Sequence, residues 1–304
     1  MIPVITVEGP TASGKSALAL ALAEEIGSGI ISADSRQVYR YLDIGTAKPS
    51  AADRKRVPHH LIDILDPDES YNVGRFAKEA GKLCRSMAHQ GKVPIVCGGT
   101  GLYIAGLLKG IFPQLEIPAG IREQLRQRIS SEGLPSLYNE LLQRDPSFAR
   151  NISANDKQRI LRGLEVWQAT GTPLSEHWRR QEAESEFKAF RILIDPPREA
   201  LYDRINHRIG SMLAEGLLDE ISSVLAMGYA PNTPGLSSLG YKEFIPHLQD
   251  CAPLGECAAL AAQHTRNYAK RQCTWNRKHK FDLTLQDIGS IISEIAGRAL
   301  DALA

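Results

Sequence analysis

The eight residues GPTASGKS, Gly9 to Ser16, constrain this chain more than any other stretch. They follow the spacing of a phosphate-binding loop, Gly-x-x-x-x-Gly-Lys-Ser. An apolar run, Ile2 to Val7, precedes them and reads as a buried strand. Ala17 to Ile26 follow with a helical pattern. Strand, loop and helix in that order are the context such a loop needs. Its glycines permit backbone angles and close approaches that a Cβ blocks. Successive N–H groups and a helix N-terminus then face an anion. Gly9, Pro10, Thr11, Ala12, Ser13, Gly14, Lys15 and Ser16 are therefore the expected phosphate cradle. Lys15 would bridge outer phosphate oxygens, and the Ser16 hydroxyl would reach Mg²⁺. The loop specifies an oligophosphate rather than a nucleotide. A kinase, an NTPase and an enzyme with a diphosphate leaving group all need it.

The pattern beyond the first helix alternates. Gly29 to Ala33 is a short β-type run ending at Asp34, and a loop-rich stretch follows, with DIGTAKPS at 43–50 and PHHLIDILDPDES at 58–70. Residues 73–90 carry Val73, Phe76, Ala77, Ala80, Leu83 and Met87 on one helical side. VPIVC at 93–97 is another buried strand, running into Gly98-Gly99-Thr100-Gly101. Strand–helix alternation of this kind predicts an α/β fold with a doubly wound parallel sheet. From 113 to 188 no strand pattern stands out, and the segment is helical and rich in Arg, Gln and Glu. The β signal returns at Phe190 to Asp195, followed by Pro196-Pro197 and a helix from 198. A late strand candidate lies at 281–285. The expected organisation is a P-loop core over 1–112 and 189–304, with a helical C-terminal part, and a helical insertion domain at 113–188.

Composition sets bounds on partners. With 304 residues and 43% hydrophobic content, the chain can bury a sizeable core. No apolar run reaches membrane-spanning length, and MIPVITVEG lacks the basic region of a signal peptide. The five cysteines are odd in number and form no C-x-x-C pair. That predicts a reducing, cytoplasmic setting without a zinc site or disulfide framework. A monomer with no membrane partner is expected. Net charge is only +1, so any nucleic-acid affinity must come from local patches.

Four constellations carry chemistry. Asp34 ends the second strand, where open α/β sheets bind ligands. It would hold Mg²⁺ or act as a general base, or else start a turn. GGTGLY at 98–103 ends the next strand, so its glycines admit a ligand and Thr100 offers a hydroxyl, unless the motif is only a tight connection. Arg204 and Arg208 share a helical face, from which one would reach a phosphate, or both face solvent. Arg266 to Lys280, RNYAKRQCTWNRKHK, holds six Lys/Arg, no acid, and interleaved Tyr268 and Trp275. Basic residues track a phosphate backbone and aromatics stack on bases. Arg266, Lys270 and Arg277 fall on one helical face, with Tyr268, Gln272 and Trp275 on another. Residues 121–180 add ten Lys/Arg against seven Asp/Glu, with QRILR at 158–162 the most basic short stretch.

GPTASGKS, ADSRQVY, DIGTAK, GGTGLY and KRQCTW, in this order and spacing, resemble the tRNA dimethylallyltransferases (isopentenyltransferases) from residue 3 to about 282. The resemblance implies transfer of a dimethylallyl group from dimethylallyl diphosphate to N6 of the adenosine 3′ of the anticodon, with Mg²⁺ as cofactor. It implies that Asp34 accepts the N6 proton, that Thr100 assists near the transferred group, and that Lys15 and Arg208, rather than Arg204, stabilise the leaving diphosphate. It implies that the insertion embraces the anticodon stem-loop. The implied tRNA contacts are Asp34, Ser35, Arg36, Gln37, Thr100, Arg122, Gln158, Arg159, Ile160, Leu161, Arg162, Lys270, Arg271, Gln272, Trp275 and Arg277. The chain departs from the family at Asn276, where an aromatic usually follows the Trp. Three other readings share parts of this pattern. A P-loop kinase using ATP would want an Arg-rich lid and has no use for the acid-free run. A transferase acting on free adenine nucleotides has less need of the insertion. A non-catalytic RNA-binding module has no need of Asp34, Thr100 and the P-loop on one sheet edge. The absence of N-K-x-D argues against a GTPase.

Overall fold

The apolar run at the N-terminus is the central strand of a parallel sheet. A computed structural model of the chain describes residues 1–110, 117–180, 185–287 and 291–304. Its contacts divide the chain into two compact units: Met1–Leu108 with Ser185–Ala304, and Lys109–Glu184. The expected junction at 112/113 lies outside the described residues.

The first unit begins β1 (Ile2–Glu8), α1 (Lys15–Glu25), β2 (Ile30–Ser32), α2 (Ala51–Arg56), β3 (His59–His60), α3 (Val73–His89), β4 (Ile95–Gly98) and α4 (Gly101–Lys109). After the second unit come β5 (Phe187–Ile194), α10 (Arg198–Ala214), α11 (Leu217–Ala226), α12 (Ile245–Leu248), α13 (Leu254–Asn276), β6 (Leu283–Leu285) and α14 (Ile292–Leu303). The second unit supplies α5 (Ala119–Glu132), α6 (Leu134–Arg144), α7 (Pro146–Ala149), α8 (Lys157–Thr170) and α9 (Leu174–Arg180).

The sheet order is β3-β2-β4-β1-β5-β6, with every pair parallel. Side chains of a strand alternate between faces. Ile5 and Val7 accordingly meet Leu18 and Leu22 of α1 and Ala299 of α14, while Val4 meets Phe76 and Ala80 of α3 and Ile104 of α4. Both faces are covered, which is why these strands read as unbroken apolar runs. Glu8 is buried at the end of β1, held by the Arg191 guanidinium at 2.8 and 3.0 Å and by the Thr6 hydroxyl at 2.9 Å. A further cluster, with Leu217, Ile221, Tyr241 and Phe244, joins α10, α11 and the start of α13.

Two elements fall in or beside the stretch read as loop. α2 is capped by Ser50, whose Oγ accepts the Asp53 N–H at 3.1 Å, so the S-x-x-D signal was present. β3 has only two residues, too short for any periodicity to show. β5 starts at Phe187, ahead of the expected Phe190, and pairs Phe187 with Ile2 and Lys188 with Pro3. Residues 187 and 188 therefore belong to the core unit, not to the insertion. The polar residues in FKAFR hid the strand's first half.

The second unit contains only helices among its described residues. Leu125, Leu137, Leu141, Phe148, Ile160 and Leu164 form its core. Gly163 allows α8 to approach α6, because a Cβ there would lie 2.7 Å from Leu141.

Candidate active site

The phosphate loop joins β1 to α1 through backbone that few side chains tolerate. Gly14, at φ 98°, precedes the first residue of α1. Ala12 sits at φ 62°, a region costly for a residue with a Cβ and one that tends to occur at functional sites. Thr11, Ala12, Gly14, Lys15 and Ser16 line a cavity of about 460 Å³, together with Asp34, Gln37, Arg204, Arg208, Tyr268 and Gln272. Gly9, Pro10 and Ser13 are not among the lining residues. A Cβ on Gly9 would lie 2.7 Å from the Ile194 carbonyl, so this glycine serves the β1–β5 approach. Ser13 is buried, and its Oγ has no hydrogen-bond partner.

Lys15 Nζ donates to the Pro10 carbonyl at 3.2 Å. Burial pulls the Lys15 ammonium below its usual range, with Asp34 opposing and Arg208 adding to the effect. Burial also lowers the Arg208 pKa, with Asp34 opposing. Neither cation makes an ion pair among the described residues. Two partly desolvated cations whose burial Asp34 offsets only in part favour an anion in the cavity that they line. Cys97 lies beside Lys15, its thiol pushed up to about 12 by burial, so it is neutral there.

Asp34 follows β2 and faces the same cavity. Its Oδ1 accepts the Arg36 N–H at 2.8 Å, which fixes the carboxylate in a turn. The turn reading and the site reading are thus both met by one residue. The Asp34 strand end is tied to the next by Ala33 N–H to Cys97 O at 2.7 Å and Thr100 N–H to Ala33 O at 3.2 Å. Ser35 N–H donates to Thr100 Oγ1 at 3.2 Å. Thr100, Ser35 and Arg36 do not line the cavity; Arg36 is exposed and donates to Pro234 O at 3.1 Å. Arg204 and Arg208 both line it, and Arg204 also donates to Ser13 O at 3.4 Å.

The glycines of GGTGLY answer to the protein's own backbone and side chains. A Cβ on Gly98 would stand 2.1 Å from Ala33 O, on Gly99 2.2 Å from Gln272 Nε2, and on Gly101 2.0 Å from Trp275 Nε1. The late basic motif is thereby packed against the Gly-rich strand end. The amide of Gln272 is buried, lines the cavity and is engaged within the protein. Trp275 is half-buried, stacks on His279 at 4.8 Å, and buries its Nε1. Lys270 and Arg271 on α13, and Arg277 just after it, are exposed. Asn276 is buried, and its Nδ2 has no partner.

Gln37 is likewise braced inward. Its Oε1 accepts the Ser32 hydroxyl at 2.8 Å, and its Nε2 donates to Ala47 O at 3.1 Å. In the helical unit, Gln158 and Arg159 are exposed, but Ile160 is fully buried in the core and Leu161 packs against it. An RNA contact by Ile160 is therefore corrected: the apolar residue of QRILR is the one that anchors α8. Arg122 and Arg162 converge on Glu165 at 3.6 and 3.7 Å.

Sequence reasoning singled out Tyr268 as an aromatic of the basic run but did not place it in the cavity, which it lines; burial pushes its hydroxyl up to about 12, with Asp34 adding to the shift. Its spacing with Gln272 was the available signal. It also missed how the DIGTAK loop is held. Glu220 accepts the N–H groups of Asp43 and Ile44 at 2.8 Å each and the Tyr241 hydroxyl at 2.6 Å. Lys48 donates to Asp43 at 2.6 Å and to Asp63. That places Thr46, Ala47 and Pro49 on the cavity wall.

This geometry sits on a chain whose residues 37–279 match the family model for IPP transferase, and whose residues 2–63 match that for isopentenyl transferase. The chain belongs to the IPP transferase family. It is 45% identical to the tRNA dimethylallyltransferase of Syntrophobacter fumaroxidans, over 91% of this chain and 81% of the relative. It is 40% identical to the enzyme of the same name from Thermotoga petrophila, over 95% of each. Among solved structures, it is similar to a eukaryotic dimethylallyltransferase acting on tRNA, with a TM-score of 0.82 and 29% identity, covering 99% of this chain and 78% of the other. It is also similar to the tRNA isopentenylpyrophosphate transferase of Staphylococcus epidermidis, with a TM-score of 0.72 and 33% identity over 99% of each. In this IPP transferase family member, no helix among the described residues is long and apolar enough to cross a membrane.

Proposed function

We propose that this chain transfers a dimethylallyl group from dimethylallyl diphosphate to N6 of the adenosine 3′ of a tRNA anticodon. The observation that carries the reading is one cavity lined by two cations without an ion pair among the described residues, Lys15 and Arg208, and by the Asp34 carboxylate, whose charge acts on both. Membership of the family and relatives named for tRNA support it.

Each group has a task in the transfer. The allylic C–O bond breaks, and its electron pair leaves with the diphosphate. Lys15, Arg208 and the loop N–H groups meet the growing charge, which is preorganised electrostatic stabilisation. The new C–N bond forms at N6, a weak nucleophile whose lone pair is delocalised into the ring. Asp34 accepts the N6 proton as that bond forms. Thr100 acts at the turn that carries Ser35 and hence Asp34. The adenine must leave its stack to enter the cavity. Exposed Lys270 and Arg271 on α13, Arg277 just after it, and Arg122, Gln158, Arg159 and Arg162 of the helical unit contact the RNA in this reading.

Mg²⁺ fits the donor set. Ser16 is exposed in the cavity and its hydroxyl makes no hydrogen bond among the described residues. Mg²⁺ sites of this kind pair one or two protein oxygens with substrate phosphates. When bound, the ion neutralises part of the leaving-group charge. The protein works as a monomer in the cytoplasm in this reading.

The test uses labelled dimethylallyl diphosphate and Mg²⁺ with unmodified tRNA or with AMP, and labelled ATP without isoprenoid. Label is expected in tRNA. Label in AMP alone, or phosphate transfer from ATP, would overturn the proposal. Asp34→Ala should lower turnover by about 10²–10⁴-fold while tRNA affinity is retained. Full activity in that variant would remove Asp34 from the role of base.

A further inference from the structure

Gln272 lies on α13 and is only 7% exposed. Its Oε1 accepts the Thr11 N–H of the phosphate loop at 2.8 Å. Its Nε2 donates to the Gly99 carbonyl, one residue before Thr100, at 2.9 Å. One carboxamide thus joins three segments that the chain places far apart: the loop that holds the anion, the strand end beside the acceptor carboxylate, and the basic helix. Its neighbours Lys270 and Arg271 point outward and are exposed. Gly99 must be glycine for the amide to fit, since a Cβ would stand 2.2 Å from Nε2.

We infer that Gln272 is a positioning residue that sets the phosphate loop in register with the acceptor side of the cavity. The inference rests on the transferase reading for its consequence in turnover, but not for its effect on anion binding. Its chemistry is that of a clamp. A neutral amide supplies one acceptor and one donor at once, and no other side chain of that length does so without charge. Gln272→Glu keeps an acceptor for Thr11 but loses the donor to Gly99 and places a negative charge at the cradle. Gln272→Met keeps the length and loses both bonds.

The experiment measures three quantities on the full chain for the wild type and both variants. These are the affinity for inorganic diphosphate with Mg²⁺ by calorimetry, the affinity for unmodified tRNA, and kcat and donor KM. Loss of the two bonds should weaken diphosphate binding by about tenfold in Gln272→Met, from the typical net value of a hydrogen bond. Gln272→Glu should be weaker still, because its charge repels the anion. Affinity for tRNA should hold and kcat should fall, and the melting temperature of Gln272→Met should drop modestly, because the Thr11 N–H and the Gly99 carbonyl lose their partner. A variant that binds diphosphate normally but loses tRNA would overturn the inference and return Gln272 to the role of RNA contact. Normal values of all three would overturn it too. If the wild type transferred no isoprenoid, the functional proposal would fail, while the diphosphate comparison would still decide the role of Gln272.

Discussion

At the residue scale, Asn276 is the polar residue that follows the Trp of the late basic motif. Its side chain is buried, and Nδ2 lacks a partner. A buried amide without a partner costs about 1–3 kcal/mol. Asn276→Leu has nearly the same volume and no polar group to satisfy. It should stabilise the protein by about 1 kcal/mol, read as a higher denaturant midpoint at unchanged slope. An unchanged or lower midpoint would show that the amide has a partner in solution. Trp275 next to it keeps its place through Gly101 and His279, so the motif's packing survives the exchange.

At the scale of elements, β3 makes the sheet's pH dependence visible. His59 and His60 form this edge strand, and burial lowers both their pKa values from the usual 6.5. The folded state disfavours the protonated form. As pH falls, the unfolded chain takes up protons first, so these residues destabilise the fold below about pH 6.5. The double variant His59→Gln, His60→Gln should therefore show a shallower loss of melting temperature from about pH 7 to 5 than the wild type. An identical slope would assign the acid sensitivity to other groups. The same scale shows what the sequence could tell. Long apolar or periodic runs such as Ile2–Val7 and residues 73–90 were legible because both faces of the sheet are buried. β3 was not, because two residues carry no period. Asp34, Lys15 and Arg208 were legible as residue types, and the fold brings all three to one cavity. The sequence placed Gln272, Trp275 and Gln37 in motifs, but a motif shows that a residue is required, not whether it faces RNA or braces the site. Only the contacts at Gly99, Gly101 and Ala47 tell these apart.

At the scale of the whole molecule, the net charge of +1 sets no attraction for RNA. The affinity must come from exposed cations such as Lys270, Arg271 and Arg277. Plotted as the logarithm of tRNA affinity against that of salt, each phosphate contact contributes a slope of about −0.7 to −0.9. Replacing these three residues by Gln should flatten the slope by about 2 to 3. No flattening would place the RNA on another face.

The helical unit interrupts the chain between α4 and β5, and β5 pairs with β1 along seven consecutive residues, from Ile2 with Phe187 to Glu8 with Leu193. During synthesis, β1 therefore waits with one side bare until the ribosome has produced the intervening helices. A nascent chain halted before residue 185 would display an open strand edge, the kind that recruits foreign strands. The strand that delivers the phosphate loop is thus the last piece of the sheet's middle to be sealed, and a stalled or truncated product would be expected to clump rather than work at reduced rate.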